Sequence, residues 1–398
     1  MNERRGRGMR IIVQGHLVRG PLGGRAWNPL QYVVGLDRLG YEVCFLEDSG
    51  DVPWSCYDPT RSVTDRDPTY GLQFAATIFE RVGLGDCWAY YDAHTSRWFG
   101  PCAENIRERC ANAELLLNLG LSNPMRPWTA EIPVRVLVDT DPAFTQVSHL
   151  TDNTLAGRAQ QHTAFFSFGE NIGKSGCFIP NDGFPWQPTR LPLVPDLWPM
   201  TPGSAQGAWT TVMHWNGGGC EYGGVRYGMK NDSFSPYLDL PERVRQLFTV
   251  ALGRPTAARQ RLQAHGWVVT NPLEATRDPW TYQQFLRDSK AEFSVAKHGY
   301  VISRSGWFSE RSVGYLASGR PAVLQDTGFS DWLPTGSGVI SFHNPEEAIA
   351  GIQEISRRYE FHCKAAREIA EEYFEATKVL SHLIERAMNP TPTLKEGS

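Results

Sequence analysis

Cationic and hydroxyl side chains crowd around one predicted helix start, in the segment RSGWFSERS (304–312). A helix is expected to begin near Glu310, which leaves the backbone N–H groups of its first turn free to bind an anion. A helix dipole contributes only about 0.3–1 kcal/mol at an exposed site, whereas a charge-assisted hydrogen bond contributes roughly 1.5–3 kcal/mol. The arginines must therefore supply most of the affinity of a pocket for two linked phosphates. The predicted pocket residues are Arg304, Ser305, Gly306, Ser309, Glu310, Arg311 and Ser312.

Two further turns are predicted to border this pocket. The sequence QDTGFS, after the next strand, is suited to binding hydroxyl groups through Asp326, Thr327, Gly328 and Phe329. The glycine loop HWNGGGCEYGGVRYGMK (214–230) lets backbone approach a phosphate closely. Its candidate residues, together with a lysine upstream of 304–312, are Gly217, Gly218, Arg226, Lys230 and Lys297. The alternatives remain open: an ordinary strand–turn–helix connection, a flexible hairpin and a surface lysine.

Acid–base groups follow two predicted strands of the first half. His16 comes after the first strand, and VDTDP places Asp139 and Asp141 after another. The carboxylates could orient the histidine, bind a substrate hydroxyl or act as bases themselves, and Asp141 could equally form a turn before its proline. FGENIGKSG (168–176) is one residue short of a Walker phosphate loop, and prolines rather than a helix follow it, so an ATPase site is excluded.

The elements that must position these residues alternate between strand and helix. RIIVQGHLV (10–18) predicts a buried strand, the glycine turn 19–28 leads into a helix, and CFLED (44–48) predicts the next strand. Further strands are expected at 114–120, 134–142, 162–169, 209–215, 266–271, 299–305 and 321–326. Helices are expected near 241–252 and 279–289 and within 345–388, and irregular loops over a cleft at 50–70 and 86–102. This alternation is typical of doubly wound parallel sheets.

The chain of 398 residues is long enough for two such domains. A proline-rich stretch divides it, and we expect domains at 1–185 and 208–370, a linker at 186–207, a helix at 371–388 that returns to the first domain, and a flexible tail at 389–398.

The net charge of −4 argues against a nucleic-acid or acidic-membrane surface. The basic start lacks the apolar run of a secretory signal, no run is long enough to span a membrane, and the eight cysteines lack metal or redox spacing. A cytoplasmic protein is expected.

The segment 299–352, GYVISRSGWFSERSVGYLASGRPAVLQDTGFSDWLPTGSGVISFHNPEEAIAGI, resembles the C-terminal signature of GT-B glycosyltransferases. It is most similar to the bacterial group with the spore-protein-like pattern F-x-x-R-x-x-E-x-L-A-x-G, matched by Phe308, Arg311, Leu316, Ala317 and Gly319. GHLVRGPLGGRAWNPLQYVVGLDRLGYEV (15–43) similarly resembles the first βαβ unit of that fold. One departure is clear: Gly314 stands where the family has a glutamate that usually bonds the nucleotide ribose, and Glu310 is the candidate replacement.

The resemblance implies two Rossmann-like domains facing a cleft. It implies a hexosyltransferase-like enzyme that moves a sugar from a nucleotide-diphosphate sugar, UDP-linked for example, to a hydroxyl of a small-molecule or glycan acceptor, with no metal or other cofactor. Inverting relatives use a histidine in the loop after the first strand as base, which assigns His16 this role, with Asp141 or Asp139 as the alternatives. Gly23, Gly24 and Arg25 would form the acceptor loop. A GT-B-fold sugar-nucleotide epimerase and a non-catalytic binding protein remain the competing interpretations.

Overall fold

The computed structural model describes residues 8–52, 54–253 and 255–389. The basic start and nearly all of the expected tail lie outside these residues. Within the first half of the chain the strands are β1 (Arg10–Gln14), β2 (Glu42–Asp48), β3 (Cys56–Asp58), β4 (Val63–Asp65), β5 (Trp88–Asp92), β6 (Arg97–Phe99), β7 (Leu115–Leu119), β8 (Val134–Asp139), β9 (Ala164–Ser167) and β10 (Gln187–Pro188). The helices are α1 (Gly23–Arg38), α2 (Thr69–Arg81), α3 (Ile106–Ala111), α4 (Pro127–Ala130), α5 (Phe144–Thr151) and α6 (Asn153–Ala159).

The second half repeats the plan. Its strands are β11 (Trp209–Met213), β12 (Cys220–Tyr222), β13 (Val225–Tyr227), β14 (Phe248–Leu252), β15 (Val268–Thr270), β16 (Ala291–Ser294), β17 (Ala322–Gln325) and β18 (Val339–Phe342). Its helices are α7 (Lys230–Phe234), α8 (Leu240–Val244), α9 (Thr256–Ala264), α10 (Pro272–Thr276), α11 (Pro279–Asp288), α12 (His298–Ser303), α13 (Glu310–Ala317), α14 (Pro345–Arg357), α15 (Tyr359–Phe374) and α16 (Ala376–Met388).

Two parallel sheets organise these elements, as the sequence predicts. The first has the order β10-β9-β8-β7-β1-β2-β5-β6, in which only the edge pair β5–β6 is antiparallel. The second has the order β15-β14-β11-β16-β17-β18 and is parallel throughout. In both sheets the strand order reverses beside the first strand. Ligands of such sheets bind at the carboxyl ends of the strands at that point.

Three local predictions are wrong. Residues 299–303 lie in helix α12 and residues 304–305 in the turn after it, rather than in a strand, because β16 already pairs with both neighbours in the sheet. The helix expected at 241–252 ends at Val244, and the apolar run Phe248–Leu252 instead pairs as β14 between β11 and β15. The segments 50–70 and 86–102, expected as irregular loops, carry the antiparallel pair β3–β4 and the edge pair β5–β6 of the first sheet.

The chain crosses between the domains at two places, near Leu193 and near Phe374, and these two segments hydrogen-bond to each other. Leu193 N donates to Phe374 O, and Ala376 N donates to Leu193 O, both over 2.6 Å. After the second crossing α16 packs on α1, where Leu380 is fully buried. The contact is close, since a Cβ at Gly35 would lie 2.6 Å from Leu380 Cδ1. The domain limits drawn from sequence stay a prediction. In the described ranges no helix is long and apolar enough to cross a membrane.

Helix α16 should stabilise the first domain through this contact. We expect Leu380→Ala to lower the free energy of unfolding by about 2–5 kcal/mol, because it opens a cavity in a buried interface. Urea unfolding followed by circular dichroism measures this change. His382→Ala, an exposed site on the same helix, is the matched control and should change the value by less than about 0.5 kcal/mol. Equal decreases in the free energy of unfolding in the two variants would contradict the packing of Leu380 between α16 and α1.

Candidate active site between the two domains

A cleft of about 1710 Å³ separates the two domains. The carboxyl ends of both sheets face it, together with the start of α1 from the first domain and the start of α13 from the second. A cleft at this place is what the strand order requires. Its first-domain wall includes Arg25 and Asp141, and its second-domain wall includes Lys230, Lys297 and the first turn of α13.

A buried carboxylate fixes the loop after β1 on the first-domain side. Glu47 is fully buried and accepts hydrogen bonds from the backbone N–H groups of Leu17 (2.7 Å), Val18 (2.6 Å) and Arg19 (3.0 Å). The guanidinium of Arg19 also donates to it over 3.0 Å. Several donors and one cation satisfy the charge of Glu47, so the loop that leads into α1 is held in a defined position.

The side chain of His16 is neutral and lies outside the cleft lining. Its Nδ1 lies 2.9 Å from Arg25 Nη1. Because a guanidinium only donates, Nδ1 accepts this bond and the ring proton sits on Nε2. Burial and the cations Arg19 and Arg25 lower the pKa of His16 to about 2. Arg25, rather than His16, borders the cleft.

The two aspartates of VDTDP have different surroundings. Asp139 is buried and accepts hydrogen bonds from the side chains of Thr145, Gln146 and Ser167, which anchor the start of α5. Burial raises the pKa of Asp139 despite these bonds. Asp141 faces the cleft and bridges it, because Lys297 Nζ donates to both of its oxygens over 2.9 and 2.7 Å. The hydroxyl of Tyr300 also donates to Asp141.

A buried ion pair organises the cations of the second domain. Arg311 Nε donates to Glu292 Oε1 over 2.6 Å, and the other guanidinium nitrogens donate to Ser294 Oγ over 2.7 Å and Val212 O over 2.8 Å. Lys230 lies beside this pair, with Nζ 3.3 Å from Ser294 Oγ. Burial, and next the charge of Arg311, lower the pKa of Lys230 well below its usual value. A nearby anion favours the charged form of a lysine, and an ammonium has three donors, so Lys230 keeps hydrogen-bonding capacity for an anion bound in the cleft.

Glu310, the first residue of α13, faces the same cleft. Its Oε1 accepts a hydrogen bond from Asn28 Nδ2 on α1, so the carboxyl group links the two domains. Burial raises the pKa of Glu310 to about 7, while the bond from Asn28 and the charge of Arg25 oppose the increase. This carboxyl group therefore changes protonation near neutral pH.

The cleft brings together ten of the residues singled out from sequence: Gly24, Arg25, Asp141, Gly217, Gly218, Lys230, Lys297, Ser309, Glu310 and Arg311. Twelve others lie outside its lining: His16, Gly23, Asp139, Arg226, Arg304, Ser305, Gly306, Ser312, Asp326, Thr327, Gly328 and Phe329. The functional roles of all of them stay predictions.

The outlying residues have structural contacts of their own. Arg304 is exposed and pairs with Asp331 over 2.9 Å. The turns at 304–306 and 326–329 meet Asn171 of the first domain, whose side chain donates to the carbonyls of residues 304 and 328. Arg226 lies on the β12–β13 hairpin, and its Nη2 is 3.4 Å from Oδ2 of Asp232 on α7.

Close approach of the domains explains the glycine pair at the start of α1. A Cβ at Gly23 would lie 2.1 Å from the carbonyl oxygen of Asp278, just before α11. One at Gly24 would lie 3.2 Å from the ring of Tyr282 on α11. Glycine at 23 lets α1 touch the second domain directly, and Trp27 Nε1 adds a hydrogen bond to Pro279 O over 2.9 Å.

Aromatic residues that sequence reasoning missed also line the cleft, among them Trp198 from the linker. A Cβ at Gly314 would lie 2.9 Å from the ring of Trp198 and 3.0 Å from Leu286 Cδ1. Trp198 therefore occupies the space into which the family's glutamate side chain would extend. The glycine at 314 signals a close neighbour, but only the fold identifies that neighbour as Trp198. Among the described residues, no three His, Cys, Asp or Glu side chains group together to hold a metal ion.

The Trp198 contact predicts the effect of restoring the family glutamate. We expect Gly314→Glu to lower the thermal unfolding midpoint, because overpacking costs about 1–3 kcal/mol. Adding Trp198→Ala to that variant should recover part of the loss by making room for the new side chain. Differential scanning fluorimetry of the three variants and wild type measures the coupling. Additive losses from the two changes would show that the side chains do not compete for space.

No protein-family model and no curated protein sequence matches the chain. Solved structures do. An alpha-glucosyltransferase in complex with UDP-glucose and DNA containing an abasic site is 11% identical, with a TM-score of 0.60 over 96% of this chain and 100% of that one. An Anabaena protein in complex with UDP and glucose is 8% identical, with a TM-score of 0.56 and the same coverage. Sucrose-phosphate synthase from Thermosynechococcus elongatus is 10% identical, with a TM-score of 0.53, again over 96% and 100%. The chain therefore has the GT-B fold of these glycosyltransferases.

Proposed function

We propose that the protein transfers a sugar from a nucleotide-diphosphate sugar to an acceptor hydroxyl group. The observation that carries this proposal is the position of Lys230. It is a buried lysine in the interdomain cleft of a GT-B fold, next to the Arg311–Glu292 pair and with donors to spare. A diphosphate is the leaving group of such a reaction, and it gains negative charge as the sugar departs. Fixed cations in a cleft stabilise that charge more strongly in the transition state than in the ground state.

The cleft has room for the rest of a donor. From Lys230 it extends past the carboxyl end of β14, at Gly253, to residues 271–273 after β15. Arg259 lines this part and is oriented by its hydrogen bond to Thr270 O over 3.2 Å. This extension is the proposed nucleoside site. UDP or UDP-glucose in three similar structures, two of an alpha-glucosyltransferase and one of an Anabaena protein, supports uridine as the first nucleoside to test.

The acceptor is proposed to be a small molecule or a glycan that enters from the first-domain side, past Arg25 and Tyr57. Four similar alpha-glucosyltransferase structures contain DNA, but the net charge of −4 here does not favour a polyanionic acceptor. Transfer without a metal, a hexose as the sugar, and membership of the spore-protein-type group are parts of this proposal. A cytoplasmic, bacterial setting stays a prediction from sequence.

Removing the lysine charge should weaken donor binding. We expect Lys230→Met to reduce affinity for UDP about 10- to 100-fold, because a charge-assisted hydrogen bond contributes roughly 1.5–3 kcal/mol and 1.4 kcal/mol is tenfold. Isothermal titration calorimetry with UDP-, GDP-, ADP- and TDP-glucose, and with the free nucleotides, identifies the nucleotide and measures the loss. Arg311→Ala is unsuitable, since it leaves Glu292 charged and buried without its cation.

Lys174→Met is the matched control. Lys174 is exposed, lies outside the cleft lining and should bind the nucleotide like wild type. If none of these nucleotides or donors binds wild type, the proposed function is wrong. If binding is equal in Lys230→Met and wild type, the phosphate site is elsewhere.

A further inference from the structure

Sugar transfer to a hydroxyl group needs an acceptor for the hydroxyl proton, and three expected bases are already occupied. Nδ1 of His16 accepts from Arg25. Asp139 is buried and saturated by neighbouring donors. Asp141 borders the cleft, but Lys297 and Tyr300 hold its carboxylate. A proton acceptor with a free oxygen on the cleft must be another residue.

Glu310 meets this requirement by its geometry. It is the first residue of α13 and projects into the cleft opposite α1, the helix that forms the first-domain wall. Asn28 on α1 holds Oε1, which fixes the orientation of the carboxyl group. In the described part of the chain, Oε2 accepts no hydrogen bond, and it keeps some accessible surface. One oxygen is therefore anchored while the other is free to accept a proton.

We propose that Glu310 is the general base of the reaction, a role that rests on the proposed function. Its carboxylate takes the proton from the acceptor O–H as the acceptor oxygen forms a bond to the anomeric carbon of the sugar. The bond from that carbon to the diphosphate oxygen breaks, and its electron pair leaves with the diphosphate, whose charge Lys230 stabilises. Glu310 ends as a neutral carboxylic acid and returns its proton to water.

The groups that face Glu310 set its protonation. Arg25 and Tyr32 lie on α1, Tyr282 on α11 and Tyr300 on α12. Arg25 is the cation among them, and burial raises the pKa of each tyrosine, so these phenols stay neutral near pH 7. Burial raises the pKa of Glu310 to about 7. A base must be deprotonated, so the reaction rate should rise with pH and level off above about 7. A general base of such a pKa is well matched to neutral pH.

Hydrolysis of the bound donor tests this role without knowledge of the acceptor, because water then supplies the hydroxyl. The probe is the tightest-binding of UDP-, GDP-, ADP- and TDP-glucose, and release of the nucleoside diphosphate is followed from pH 5 to 9. We expect Glu310→Gln to lower kcat about 100-fold or more and to remove the inflection near pH 7. Affinity for the free nucleotide, measured by calorimetry, should change less than about threefold.

Asp331→Asn is the matched carboxyl-to-amide control. Asp331 pairs with Arg304 outside the cleft lining, so kcat and the pH profile should equal those of wild type. Asn28→Ala is a second, independent test that leaves residue 310 itself unchanged. The bond from Asn28 lowers the pKa of Glu310, so its loss should move the inflection of the pH–rate profile to higher pH. If Glu310 had only a structural role, the inflection of the pH–rate profile would not move to higher pH.

The outcomes separate the two proposals. If wild type binds and hydrolyses a donor but Glu310→Gln retains kcat within threefold, Glu310 is not the base and the proposed function stands. A rate that falls as pH rises through 7 would make Glu310 a proton donor and also overturn the inference. If Glu310→Gln fails to fold, an unchanged inflection in Asn28→Ala overturns it instead. If wild type binds no donor, both proposals fail.

Discussion

The pairing of Arg311 with Glu292 in the floor of the cleft is the constraint on which the site depends. Removing two charges from water is unfavourable unless each finds partners. Glu292 is fully buried on β16, and Arg311 on α13 reaches it and also bonds Ser294 and the carbonyl of Val212 on β11. One side chain thus ties a helix to two central strands. Losing either partner would leave an uncompensated charge, at a cost of about 3–5 kcal/mol.

This constraint determines what the neighbouring groups can do. Arg311 donates hydrogen bonds to protein groups, so the nearby Lys230 is the cation with more donors available for a ligand. Because α13 is held against the sheet, its first residue is carried to the cleft, where Asn28 from the opposite domain meets it. Lys230, Arg311 and Glu310 then line the same second-domain wall, and Glu310 also contacts the first domain through Asn28.

Contacts between the domains give the cleft its shape. The start of α1 touches α11 so closely that position 23 has no room for a side chain, and Asp141 reaches Lys297 across the opening. At the base, the two chain crossings hydrogen-bond to each other. Trp198, carried in by the first crossing, fills the space beside Gly314. The departure from the family pattern at 314 is thus matched by an aromatic side chain from a distant part of the sequence.

The sequence by itself determined the fold class. Apolar runs of strand length, glycine turns and helical periodicity are local properties, and they predicted two parallel sheets with a cleft at their carboxyl ends. Local composition misled at 299–305 and 241–252, where pairing in the sheet decided the element.

Only the tertiary structure decided which polar residues face the cleft. Arg304 and Arg311 look alike in sequence, yet Arg304 is exposed beside Asp331 and Arg311 is partly buried and paired with Glu292. His16 and Glu310 likewise acquire their altered acid–base properties from Arg25, Asn28 and burial. Burial and long-range partners arise when separate segments pack together, and no spacing of residues along the chain encodes them directly.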